Sequence, residues 1–154
     1  MELHFLKITW GDIIILKKDS KIAMIDTGYE ENFDEIAQYL DKLCIKEIEF
    51  ILLTHFHRDH YGSIPKIIEK YNLFNIDVLK VGHHGSKTSS SKYFVDKIIP
   101  KYSVISVGRN NRYGHPHEEV LSNLINTRIL RTDSDGTITF KINKNKFDID
   151  FCKP

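Results

Sequence analysis

The stretch Thr54-His55-Phe56-His57-Arg58-Asp59-His60 places three histidines and an aspartate within six residues. It follows the apolar run Ile48-Glu49-Phe50-Ile51-Leu52-Leu53, which reads as a strand, and leads into the turn Tyr61-Gly62-Ser63. Imidazole and carboxylate are the usual ligands of Zn²⁺ and comparable divalent ions. A charged, histidine-dense block is costly to bury for packing alone. At a strand end the backbone turns sharply, so side chains there can converge on one ion. The stretch reads as a metal site, the competing reading being a polar loop that happens to hold three histidines.

Outward from this stretch, strands alternate with amphipathic helices. Leu3 to Ile8 and Ile13 to Leu16 read as a hairpin turned at Trp10-Gly11-Asp12, and Lys21 to Ile25 as a third strand. Phe33, Ile36, Ala37, Leu40 and Leu43 fall at helical spacing, with Asn32 and Glu35 in capping-box positions. After the histidine stretch comes a helix carrying Ile64, Ile67, Ile68 and Tyr71, then a strand over Val78 to Val81. A helix from Lys92 to Ile99 stops at Pro100, and a strand follows over Val104 to Val107. Pro116 suits the first turn of a helix through Leu121 and Leu124. The chain closes on strands over Arg128 to Arg131, Thr137 to Ile142 and Lys146 to Phe151, with turns at Asp135-Gly136 and Asn143-Lys144-Asn145. There is no internal repeat or linker, so the expectation is one α/β domain over residues 1–154.

Length and composition agree. A chain of 154 residues, 41% hydrophobic and 28% charged, is long enough for one substantial core. The formal charge of +1, from 22 basic and 21 acidic residues, does not mark a general nucleic-acid binder, although local clusters can act as one. Cys44 and Cys152 are few, distant and unpatterned, as in a reducing compartment. No apolar run reaches the roughly 18 residues of a membrane span. Met1-Glu2-Leu3-His4-Phe5 lacks the form of a secretory leader. The expected location is the cytoplasm.

The H-x-H-x-D-H pattern at a strand end resembles the metal signature of the metallo-β-lactamase superfamily of hydrolases. Ile25-Asp26-Thr27-Gly28 resembles that superfamily's early strand end. Asp77-Val78-Leu79-Lys80-Val81-Gly82-His83-His84-Gly85-Ser86-Lys87-Thr88-Ser89-Ser90-Ser91 is similar to one branch, the hydrolase domain of the competence-protein ComEC type and its free-standing relatives. Ile105-Ser106-Val107-Gly108, Asn110-Asn111-Arg112-Tyr113-Gly114-His115-Pro116 and Arg131-Thr132-Asp133-Ser134-Asp135-Gly136 match the same branch in order. The resemblance implies a metallo-β-lactamase-like αββα sandwich, here shortened by an internal deletion.

It also implies roles for residues. His55 and His57 would hold one divalent ion, Zn²⁺ or Mn²⁺, and Asp59 and His60 a second, which a late histidine completes. His84 fits that late position, with His83 and His115 as competitors. Asp26, and His83 if it is not a ligand, would stand behind the ligands and orient them, Asp26 otherwise being an ordinary turn aspartate before Gly28. Relatives carry a long region between the two histidine motifs, with a further ligand and a bridging T-G-D aspartate. Here only residues 63 to 76 separate the motifs, no T-G-D occurs, and Asp77 opens a strand. One tightly held metal is therefore expected rather than two.

Asp59, His84 and His115 are the expected catalytic residues, although His115 could equally cap the following helix. Ser86, Lys87 and Thr88 could cradle a phosphate, or form a polar loop with Ser91 as helix cap. Arg112 and Tyr113, with Arg109 beside them, could grip a phosphodiester or stack a base, or belong to a solvated loop. Asp133 and Asp135 read as hairpin-turn residues, and His4 and His117 as surface residues without partners. Two functions follow. One is a metal-dependent phosphodiesterase or nuclease acting on nucleic acid through activated water. The other is a metal-binding but catalytically weak remnant serving binding or assembly. A shortened sandwich would leave apolar strand faces uncovered, which suggests a homodimer.

Overall fold

Apolar residues two apart on successive strands build the first sheet. The computed structural model describes residues 1–9, 11–54, 57–143 and 146–152. These residues fall into two compact units, Met1–Leu73 and Phe74–Pro154.

In the first unit, β1 (Glu2–Phe5), β2 (Ile14–Lys18) and β3 (Lys21–Ile25) form an antiparallel meander. Helix α1 (Phe33–Lys42) carries the chain to β4 (Glu47–Leu52), which pairs with β3 in parallel. Such a parallel return needs a crossover element, and α1 supplies it. Ile15, Met24 and Ile22 on one sheet face are buried with Ile36 and Leu40 of α1. Each such side chain contributes about 1.5–3 kcal/mol when removed from water. Beyond β4 come the one-turn helix α2 (Arg58–Tyr61) and α3 (Ile64–Lys70), whose Ile67 joins the same core.

The second unit is a parallel three-stranded sheet, ordered β5 (Val78–Lys80), β6 (Tyr102–Ile105), β7 (Arg128–Arg131). Helices α4 (Lys92–Ile98) and α5 (Glu118–Asn123) form its crossovers. Val81, Val95, Ile105, Val120 and Leu124 make its core. The short helix α6 (Thr132–Asp135) leads into an antiparallel hairpin of β8 (Thr137–Asn143) and β9 (Lys146–Cys152). The α/β class expected from the alternation is the class observed.

Local expectations fail in several places, and the strand expected over Val104 to Val107 runs over Tyr102–Ile105 instead. The capping box at Asn32 and Glu35 does not form: a 3₁₀ turn over Glu30–Asn32 puts Asn32 in helical conformation, and its side chain accepts from the Tyr29 N–H instead. The strand from Leu3 stops at Phe5, which pairs with Ile14, and beyond it only the Leu6 N–H bonds the Ile13 carbonyl among the described residues. Pro116 precedes α5, whose N-cap is His117. Asp133 and Asp135 lie in helix α6 rather than a hairpin turn, because Asp135 accepts the Arg131 N–H at 2.7 Å and Asp133 pairs with the Arg131 guanidinium. Trp10 and the Lys144-Asn145 part of the last turn lie outside the described residues.

Candidate metal centre

In the first unit the candidates gather at the strand ends of β3 and β4. Asp26 follows β3 with a positive φ of 56° and is 2% exposed. A non-glycine residue held in that region beside a candidate ligand is strain of the kind functional sites retain. Its Oδ1 accepts the Thr54 N–H at 2.8 Å and its Oδ2 the Thr54 hydroxyl at 2.7 Å. Oδ2 also accepts from His60 Nδ1 at 2.8 Å. Burial raises the Asp26 carboxyl, but the hydrogen bonds from His60 and Thr54 outweigh it and hold the group below its usual value. An ionised acceptor at Nδ1 assigns the imidazole proton there and presents Nε2 as a lone pair, the state a metal requires.

Around this pair the chain is braced. The Thr27 N–H and hydroxyl both donate to the His60 carbonyl, at 2.7 and 3.0 Å. His60 Nε2 lies 3.4 Å from Asp59 Oδ2. His57 is the extended N-cap of α2, whose carbonyl accepts the His60 N–H at 2.9 Å. A Cβ on Gly11, at φ +96°, would lie 2.4 Å from the Asp59 carbonyl oxygen, so only glycine fits there. A cleft of about 350 Å³ opens beside Asp26 and Thr54, walled also by Phe5, Ile14 and Ile25. His55 lies outside the described residues.

In the second unit four histidines cluster. His83 and His84 occupy a 3₁₀ turn after β5, both in the left-handed region, at φ 46° and 57°. His84 Nδ1 donates to the Ser106 carbonyl at 2.7 Å, which again leaves Nε2 as the lone-pair nitrogen. His83 Nδ1 lies 3.4 Å from the Thr88 hydroxyl. The ring centroid of His115 is 5.9 Å from that of His83 and 6.4 Å from that of His84. His115 is held below its usual value by burial, then by the like charges of His117, His83 and His84. His117 is not without a partner: its Nδ1 accepts the Lys87 N–H at 3.1 Å, and its ring meets His115 edge-on at 4.8 Å. His4 likewise bonds Tyr39 at 2.9 Å and Glu2 at 3.1 Å.

The serine loop is an ordered turn. Ser89 Oγ bonds the carbonyls of Gly82 and Ser86 at 2.8 and 2.9 Å, and Ser86 Oγ contacts Thr88 Oγ1 at 3.2 Å. Ser91 caps α4 by accepting the Phe94 N–H at 3.3 Å, as expected. Lys87 is exposed. Arg112 donates to the Tyr113 hydroxyl at 3.2 Å, and Tyr113 stacks on His115 with ring centroids 5.8 Å apart. Arg109 donates to the Asp133 carbonyl at 2.7 Å. Sequence reasoning missed Thr54, Thr27 and Ser106. The two threonines stand within the quoted motifs, where their hydroxyls beside an aspartate were a signal. The Ser106 contact is through backbone and leaves no residue-type signal.

Among the described residues, no group of three or more His, Cys, Asp or Glu side chains is placed to hold a metal ion. Nor is any helix among them long and apolar enough to cross a membrane.

Known proteins extend this picture. The ComE operon protein 3 of Bacillus subtilis (strain 168) is 54% identical over 67 residues, 42% of this chain and 9% of that protein. Competence protein ComA of Neisseria gonorrhoeae is 40% identical over 82 residues, 51% of this chain and 12% of its own length. Endoribonuclease ysh-1 of Neurospora crassa is 30% identical over 78 residues, 46% of this chain and 9% of that enzyme. The matched segments are thus a small part of much longer relatives. The sequence model of the Metallo-beta-lactamase superfamily, which includes metal-dependent hydrolases and nucleases, matches residues 11–73. That segment holds Asp26, His57, Asp59 and His60. Over residues 11–73, then, the chain is similar to the metallo-beta-lactamase superfamily.

Proposed function

We propose that residues 1–154 act as one metal-dependent hydrolase domain that cleaves phosphodiesters, with nucleic acid as the substrate class. The observation that carries this reading is the buried Asp26–His60 contact of 2.8 Å, which fixes the His60 tautomer with Nε2 presented beside Asp59. The donors fit a divalent ion in kind: His57, Asp59 and His60 would hold Zn²⁺ or Mn²⁺, with His55 of the same motif as a further ligand. When bound, such an ion supplies a water of lowered pKa and takes up charge on a phosphoryl oxygen.

The chain's own residues have distinct tasks. Asp26 keeps the His60 proton on Nδ1. The Ser106 carbonyl does the same for His84. His115, its pKa lowered by burial and by neighbouring imidazoles, is uncharged near neutral pH and can take a proton at a ring nitrogen. Lys87 and Arg112 carry the positive charge that a phosphodiester backbone needs. The nuclease reading draws support from the printed name of the ysh-1 relative.

A second reading, a metal-binding module without turnover, has one observation in its favour: no three donors converge among the described residues. The test is hydrolysis of bis(p-nitrophenyl) phosphate and of an oligonucleotide with added Mn²⁺ or Zn²⁺. Turnover that is lost in His60→Ala supports the hydrolase. No turnover with either ion, alongside retained metal, supports the module.

A further inference from the structure

We propose that the exposed ring of Tyr113 is a stacking platform for one unpaired nucleobase, so that the chain grips single-stranded nucleic acid in preference to duplex. The proposal rests on the phosphodiesterase reading and names the form of its substrate. Tyr113 is 64% exposed, so its ring is open to a partner.

The ring is not on a slack loop. Asn111 Nδ2 donates to the carbonyls of His115 and Gly108, at 2.7 and 3.2 Å, and its Oδ1 accepts the His115 N–H at 2.9 Å. Those bonds pin the loop at both ends of Tyr113, so little ordering remains to be done on binding.

The ring's orientation matters more than its exposure. Tyr113 and His115 lie 23° from parallel at 5.8 Å, and His115 and His84 lie 17° from parallel at 6.4 Å. Three rings therefore rise in a staggered ladder from His84 to Tyr113, in the offset geometry aromatic pairs prefer. A nucleobase continues such a ladder on any sequence, because every base has a π face. In a duplex both faces of an internal base are already stacked, and that ladder is closed to it. The Arg112 guanidinium lies 5.2 Å from the Tyr113 ring centroid and bonds a phenol oxygen, a contact that leaves its charge unneutralised. On a flexible stem, it can move from the ring to the phosphate that accompanies the stacked base.

Fluorescence anisotropy tests the proposal. The probes are labelled DNA and RNA single strands of about 12 nucleotides, within the site sizes typical of stacking proteins, and the same DNA as a duplex. EDTA prevents cleavage. The wild type should bind the single strands about tenfold more tightly than the duplex. Tyr113→Ala should lose about tenfold on single strands, as for one base stack, with duplex binding unchanged, while Tyr113→Phe retains the preference. Equal affinity of the wild type for both forms, or no single-strand loss in Tyr113→Ala, overturns the platform. A parallel assay of wild-type turnover on bis(p-nitrophenyl) phosphate with Mn²⁺ separates the two claims. Turnover without single-strand preference overturns the platform alone. Preference without turnover upholds the platform and overturns the hydrolase.

Discussion

The site turns on single hydrogen bonds that decide where a proton sits. Asp26 is buried, ionised and bonded to His60 Nδ1, so changing it alters the setting of His60 while leaving every proposed ligand in the sequence. Asp26→Asn should keep the fold and weaken metal affinity about 10- to 100-fold, the usual effect of losing a ligand's orienting partner. Metal titration of the two proteins measures this, and equal affinities would remove Asp26 from the account. A second residue-scale prediction concerns acid. Asp133 is held below its ordinary carboxyl value by the Arg131 guanidinium, 2.6 Å away. A carboxylate depressed in the folded state stabilises the protein above the unfolded value near 3.8, and the gain fades as pH falls through the lower folded value. Asp133→Asn should therefore cost about 1 kcal/mol at pH 7, for a partly exposed pair, and less at pH 2. Urea denaturation at both pH values checks the sign. Of the candidate residues, Asp26 and the histidines were legible because their types and spacing are unusual. The His84 tautomer was not, since it depends on the Ser106 carbonyl, which no spacing rule connects to a histidine.

At the scale of elements, most boundaries followed from periodicity. The third strand and β7 have the residues that their apolar pattern implies, Lys21–Ile25 and Arg128–Arg131. Helix α4 starts at its Ser91 cap and stops before Pro100, as a capping hydroxyl and a missing N–H dictate. What sequence left illegible lies where side chains choose between local partners. Asn32 bonds backward to Tyr29 rather than forward into α1, and both bonds are available to the same amide. The His83-His84-Gly85 turn was equally hidden, because three successive positive φ values are not what two histidines favour. Gly85 tests that turn. Its φ is +81°, and a Cβ there would lie 2.5 Å from the Pro116 Cβ. Gly85→Ala should cost about 1–3 kcal/mol through strain and disturb the His84–Ser106 bond. Thermal unfolding and the His84 ring signals by NMR check both.

For the whole molecule, the register of the first sheet makes a further demand. Leu3, Leu16, Ala23 and Phe50 lie side by side across it, as do Phe5, Ile14, Ile25 and Leu52. Residues opposite in register share a face, so this face of the sheet is apolar along two full rows. Leu3, Phe5, Phe50 and Leu52 at its edges are 51–72% exposed. Light scattering should report more than the 18.0 kDa of one chain, and Phe5→Glu should shift the mass toward it. A wild-type monomer at all concentrations would refute this. The central claim is that the chain holds one divalent ion through His57, Asp59 and His60. Elemental analysis of extensively dialysed protein tests it most directly. The account predicts close to one equivalent of Zn²⁺ or Mn²⁺ in the wild type and almost none in His60→Ala. No metal in the wild type, two equivalents, or metal content unchanged in His60→Ala would contradict it.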